Sequence, residues 1–100
     1  MAEIILVYWR DIPAQVIVKA GRKTARRQLS ERFQEAIDRA AMRAKMRDTD
    51  SYLEQWRRAD PIACGDELER EAAKAAERLE ADFSDQRLEQ LVVAGGVEST

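Results

Sequence analysis

The chain opens on an apolar run, Glu3-Ile-Ile-Leu-Val-Tyr-Trp-Arg10, rich in β-branched and aromatic residues and broken at Asp11-Ile12-Pro13. Both faces of this run are apolar, which predicts a central strand. Gln15-Val-Ile-Val-Lys19 predicts a second strand. The short segment between them suits a hairpin, so the two strands are expected to be antiparallel neighbours. After Gly21 the pattern turns polar and basic through Arg27, and reads as a loop. The periodicity then changes to three and four. Leu29, Phe33, Ile37, Ala40, Ala41 and Ala44 make one helical stripe. Ser30 is the expected N-cap, and Arg43, Lys45 and Arg47 lie near the C-terminal end, where the helix dipole favours cations.

A turn is expected at Asp48–Asp50. The stretch Tyr52–Arg58 fits two patterns, a strand with Tyr52 and Trp56 on one face or a capped helical turn beginning at Ser51. A third strand is preferred, because a two-stranded sheet is marginal by itself. Pro61 ends either element. Asp66 then caps a second long helix whose stripe is Leu68, Ala72, Ala75, Ala76, Leu79 and Phe83. Ser84–Val93 adds a short helical turn. The expected fold is α+β, in the order β-β-α-β-α, with a small antiparallel sheet and two helices packed on one face. Residues 1–94 form the single domain, and residues 95–100 are expected to be a flexible tail.

Composition narrows the chemistry. A chain of 100 residues with 45% hydrophobic residues can bury one modest core. Histidine is absent and Cys64 is the single cysteine, which removes the commonest general base, the His-paired nucleophiles and zinc spacings. No disulfide can form within the chain, and the first residues show neither a signal-peptide pattern nor a span; the expected compartment is cytoplasmic, with no membrane contact. The four glycines match no phosphate-binding loop. No cofactor, metal site or catalytic residue is expected. Cys64 precedes a helix start, where a dipole can activate a thiol, but a small loop residue explains it as well.

Charge is unevenly spread. Residues 1–65 carry 13 Lys and Arg against 9 Asp and Glu, residues 66–100 carry 4 against 10, and the total is −2. Lys19, Arg22, Lys23, Arg26 and Arg27 form a candidate anion-binding segment, for phosphate groups, nucleic acid or an acidic protein; the alternative is a solvated loop. The acidic balance and the absence of interleaved aromatics disfavour nucleic acid. Trp9, Arg10, Trp56 and Arg57 form a candidate interaction surface, since Trp and Arg are typical interface anchors; the alternative is that both rings plug the core.

Three stretches carry a resemblance: Tyr8-Trp-Arg-Asp-Ile-Pro13, then Arg32-Phe-Gln-Glu-Ala-Ile-Asp38 with Ala40-Ala-Met42, then Tyr52-Leu-Glu-Gln-Trp56. Together they resemble a small bacterial domain family, frequent in alphaproteobacteria, that carries the label "virulence factor". The resemblance covers roughly residues 3–90. It brings no catalytic residues, and it implies an accessory subunit linked to one-carbon, cobalamin-dependent methyl transfer in methionine synthesis. The resulting expectation is a non-catalytic accessory or protein-interaction subunit. Its partner would be another protein, and an open sheet face and free edges also allow a homodimer. The alternative is nucleic-acid or phosphate-ligand binding through the basic segment 19–27.

Overall fold

Strand β1 (Ala2–Trp9) and strand β2 (Ile12–Ala20) form the predicted antiparallel hairpin, closed at Arg10 and Asp11. The computed structural model describes residues 2–45 and 49–98. Arg10 takes a positive φ of 53° in the turn. The register shifts between Val7 and Tyr8, opposite Pro13. Proline brings no N–H to a ladder, so a bulge is a natural place for it. Beyond the shift Trp9 pairs with Ile12 and joins the main core.

The hairpin is extended by β3 (Lys23–Gln28), which pairs antiparallel with β2. This corrects the loop expected there. Lys, Arg and Gln have weak strand preference, but the long outer edge of β2 supplies a ladder, and Ala25 is buried under a helix opposite Val18. On the other side of β1, β4 (Trp56–Arg58) and β5 (Ile62–Cys64) share one edge. The sheet has five strands in the order β3-β2-β1-β4, with β5 also paired to β1, and every pairing is antiparallel. The ambiguous stretch 52–58 is divided: its first half ends α2 (Thr49–Glu54) and its second half is β4. Of the turn expected at 48–50, residues 49 and 50 open α2, while Asp48 lies outside the described residues, as does Arg47.

Three longer helices complete the fold: α1 (Glu31–Arg43), α3 (Leu68–Asp82) and α4 (Asp85–Val93). The chain is thus α+β, with helices packed against an antiparallel sheet. Phe33, Ala36, Ile37, Ala40 and Ala41 form the buried face of α1. Ala72, Ala76 and Leu79 do the same for α3. The small alanines let α3 lie close across β2 and β3, and α1 packs on α4 and β2. The helix-free sheet face holds a second, smaller cluster, Ile5, Val7 and Ile17. The N-cap of α3 is Glu67, not Asp66. No described helix is long and apolar enough to cross a membrane.

Ser30 sits at the N-cap position of α1, but its side chain does not cap the helix. Its N–H and hydroxyl both donate to the Glu80 carboxylate, at 2.7 and 2.9 Å. Arg32 completes this joint. Its guanidinium donates to Glu80 Oε1 and the Glu80 carbonyl, at 3.0 and 2.7 Å, and also to the Phe83 carbonyl and Asp85, at 2.6 and 3.1 Å. One arginine therefore ties the start of α1 to the end of α3 and the start of α4. A planar fork makes these bonds together and an ammonium cannot. Arg32→Ala is expected to lower stability by about 2 kcal/mol, read as a fall of about 10 °C in Tm. Arg32→Lys should recover less than half of that fall.

Burial raises the Glu80 carboxyl, but the hydrogen bonds from Ser30 and Arg32 outweigh it and hold the group below its ordinary value. A carboxylate depressed in the folded state contributes stability above its unfolded pKa, about 4.3. That contribution is lost as pH falls through the folded value. Glu80→Gln should therefore be less stable than wild type at neutral pH, and should lose less of its remaining stability on acidification. Denaturant titrations between about pH 6 and about pH 3 read the difference directly. Parallel acid limbs would show that Glu80 is not the linked group. Glu89, which Arg39 also holds below its ordinary value, supplies a second acid-sensitive contact.

Residues 95–98, expected to be part of a flexible tail, lie against the β1–β2 turn. The Gly95 carbonyl accepts from Arg10 Nη1 at 2.9 Å, and the Gly96 carbonyl accepts from the Asp11 N–H at 2.9 Å. The Glu98 N–H donates to Asp11 Oδ2 at 2.6 Å. Ser99 and Thr100 lie outside the described residues.

Candidate functional site

The two tryptophans are cross-strand partners on β1 and β4. Their roles differ. Trp9 is fully buried, and its Nε1–H donates to the Tyr52 carbonyl at 3.0 Å. Its ring lies 5.7 Å from Tyr52, whose ring in turn meets Trp56 edge-on at 6.1 Å. The aromatic wedge belongs to the core, so Trp9 presents no surface to a partner. Trp56 is half-buried and packs against both hydrophobic clusters. Arg10 is committed inward. Its guanidinium stacks 5.4 Å from the Trp9 ring centre and donates to Gln55 Oε1 at 3.1 Å and to the Gly95 carbonyl. Arg57 remains half exposed. It donates to the Arg10 carbonyl at 2.8 Å, pairs with Asp11 at 3.3 Å and covers the Tyr8 ring at 4.6 Å.

The basic segment is divided by the strand that forms there. Lys19 and Arg26 have the same parity as Ile17 and belong to the helix-free face. Lys23 and Arg27 border α3, beside Glu67 and Glu69 at one end and Glu77 and Glu80 at the other. Arg22 lies in the turn. Among the described residues, none of the five cations forms an ion pair. Cys64 is half-buried on β5. Burial, followed by the charges of Glu71, Asp66 and Glu3, pushes its thiol up, the direction opposite to activation by a dipole. Among the described residues no group of three or more His, Cys, Asp or Glu could hold a metal ion.

A further concave surface lies where the sequence carries no signal. Because α3 rests on β2 and β3, the helix-facing side of β1, β4 and β5 is left partly bare. The result is a groove of about 910 Å³ between sheet and helix. Ile4 and Leu6 form its apolar floor, and Ala75, Leu79 and Phe83 its helical wall. Ile62, 57% exposed, stands at its lip. Tyr8, Arg57 and Arg87 close one end, with Asp11 and Glu98 engaging the two arginines. Burial raises the Tyr8 phenol more than Arg57 and Arg87 lower it, so its hydroxyl stays a donor at neutral pH. Lys74 and Arg78 on α3 line the groove without an ion pair among the described residues. Ile4 and Leu6 read in sequence as ordinary core positions, and only the offset of α3 uncovers them.

This surface is suited to holding a ligand through apolar contact and a few charges. No curated protein and no solved structure gives a significant match to the chain. A family model described as "Virulence factor" matches residues 7–92, so the chain belongs to the virulence factor family.

Proposed function

We propose that the chain is a non-catalytic accessory subunit that holds a segment of a partner protein in the groove between β1 and α3. The supporting observation is the partly bare half of the sheet face, where the half-buried Ile4 and Leu6 line a groove beside an otherwise well-packed helix layer. Concave apolar surfaces rimmed by a few polar groups are the usual form of a binding site. The internal pairs of Arg57 and Arg87 leave Lys74 and Arg78 as the cations open to a partner. The fitting occupant is an amphipathic segment with an apolar stripe against Ile4, Leu6 and Ile62 and a carboxylate toward α3. The family resemblance supports a partner in one-carbon, cobalamin-dependent methyl transfer, to which this chain contributes binding rather than chemistry.

Ile62 and Arg78 are both exposed, so Ile62→Glu with Arg78→Glu tests the groove without disturbing the core. A protein captured by the tagged wild type is purified, and its affinity for wild type and double variant is compared by calorimetry. The expected outcome is binding weakened by about tenfold or more, equivalent to about 1.4 kcal/mol, with an unchanged circular dichroism spectrum. Equal affinity would move the interaction off the groove. A chain that captures no protein would remove the accessory reading.

A further inference from the structure

The accessory reading names a groove, but the opposite edge of the sheet has binding features of its own. β3 is the terminal strand, paired only with β2 among the described residues. Its outward N–H and C=O groups are a ready template for another strand. The strand carries Lys23, Arg26 and Arg27 and no carboxylate. Such charges are a common defence against self-pairing, because two copies laid edge to edge would bring like charges into register. A second copy is therefore a poor occupant, and an oppositely charged strand is a good one.

We infer that the β3 edge takes up an extended acidic segment of a partner protein as a sixth strand. The cations stand on both sides of the sheet plane: Arg26 with Lys19 on the helix-free face, Lys23 and Arg27 on the helix face. An added strand sends its side chains alternately to the two faces, so its carboxylates meet a cation on either side. Directly opposed charges on paired strands lie close enough to interact. A nucleic acid fits less well. It has no peptide N–H and C=O groups with which to continue the open ladder of β3. This inference rests on the accessory reading and adds to it the second contact surface and the chemistry of its partner.

The test uses the full chain and a fluorescent peptide of repeated Glu-Glu-Thr-Thr, which sends carboxylates to both faces of the added strand. Three comparison probes are the same peptide N-methylated at every amide, its Lys-for-Glu counterpart, and a single-stranded oligonucleotide. The acidic peptide should bind and shift the amide resonances of residues 23–28, and its affinity should fall as salt rises. Methylation should abolish binding, the basic peptide should not bind, and Arg26→Glu with Arg27→Glu should weaken it by about tenfold or more. Binding that survives methylation would overturn strand addition, as would tighter binding of the oligonucleotide or no binding of the acidic peptide at low salt. If the peptide fails while the groove variant still weakens partner binding, only this inference falls. If wild type captures no partner at all, the accessory reading falls with it.

Discussion

Trp9→Ala is expected to remove about 4 kcal/mol of folding stability, the largest effect of any single substitution argued for this chain. The ring is fully buried at the junction of the β1–β2 turn, α2 and the C-terminal segment. Truncation opens a cavity beside Tyr52 and Gly96, and it strips the Tyr52 carbonyl of its indole donor. The cavity dominates the cost, because rigid neighbours close only part of the gap, while the Tyr52 carbonyl keeps only its longer bond from the Gln55 N–H, at 3.3 Å. Small domains hold only about 5–15 kcal/mol in total, so the variant should unfold near or below physiological temperature. Trp9→Phe keeps most of the apolar volume and loses the hydrogen bond, so it should fall between the two. Urea melts of the three proteins check the order, and a Trp9→Ala variant within about 1 kcal/mol of wild type would contradict the burial described here. The result also governs interaction experiments. Loss of a partner on changing Trp9 would report unfolding, whereas exposed groove positions such as Ile62 report contact.

Gly96→Ala should cost about 3 kcal/mol, for two separable reasons. Gly96 has φ +92°, where an L side chain is strained, and an added Cβ would stand 2.7 Å from Trp9 Cζ3. Real Cβ contacts do not reach that distance, so the indole or the glycine segment must shift. Gly95 supplies the internal comparison. Its φ is +73°, but its added Cβ would approach Ala44 Cβ at an ordinary 3.4 Å. Gly95→Ala therefore carries the backbone strain with little of the clash, and it should cost about 1 kcal/mol. Thermal melts should place Gly96→Ala well below Gly95→Ala. Equal melting temperatures would mean that the C-terminal segment is not seated on Trp9.

Residues that matter to both predictions were only half legible in the sequence. The β1–β2 hairpin and the long helices follow from apolar runs and spacings of two and of three to four. These are local patterns, and the backbone obeys them because each apolar face must leave water. The side to which Trp9 turns was not legible, since a Trp beside an Arg suits an interface and a core equally well. The same holds for Ser30, whose hydroxyl suits a cap but bonds Glu80, a residue 50 positions away. The role of Arg32 as a joint was not legible either, because one arginine on a helix looks like any other until its partners converge from α3 and α4.

The sequence by itself determined an α+β domain without histidine, with one cysteine and without a phosphate loop. Composition and periodicity are properties of the chain, and they need no neighbours to be read. Tertiary structure alone decided that Lys23–Gln28 would be a strand, that Gly95 and Gly96 would seat on the β1–β2 turn, and that α3 would lie far enough over β2 and β3 to leave Ile4 and Leu6 in a groove. Each of these depends on a partner distant in sequence: the open edge of β2, the ring of Trp9, the close approach that alanines allow α3. Pairing edges, ring contacts and helix offsets come from packing between elements, which no local pattern encodes.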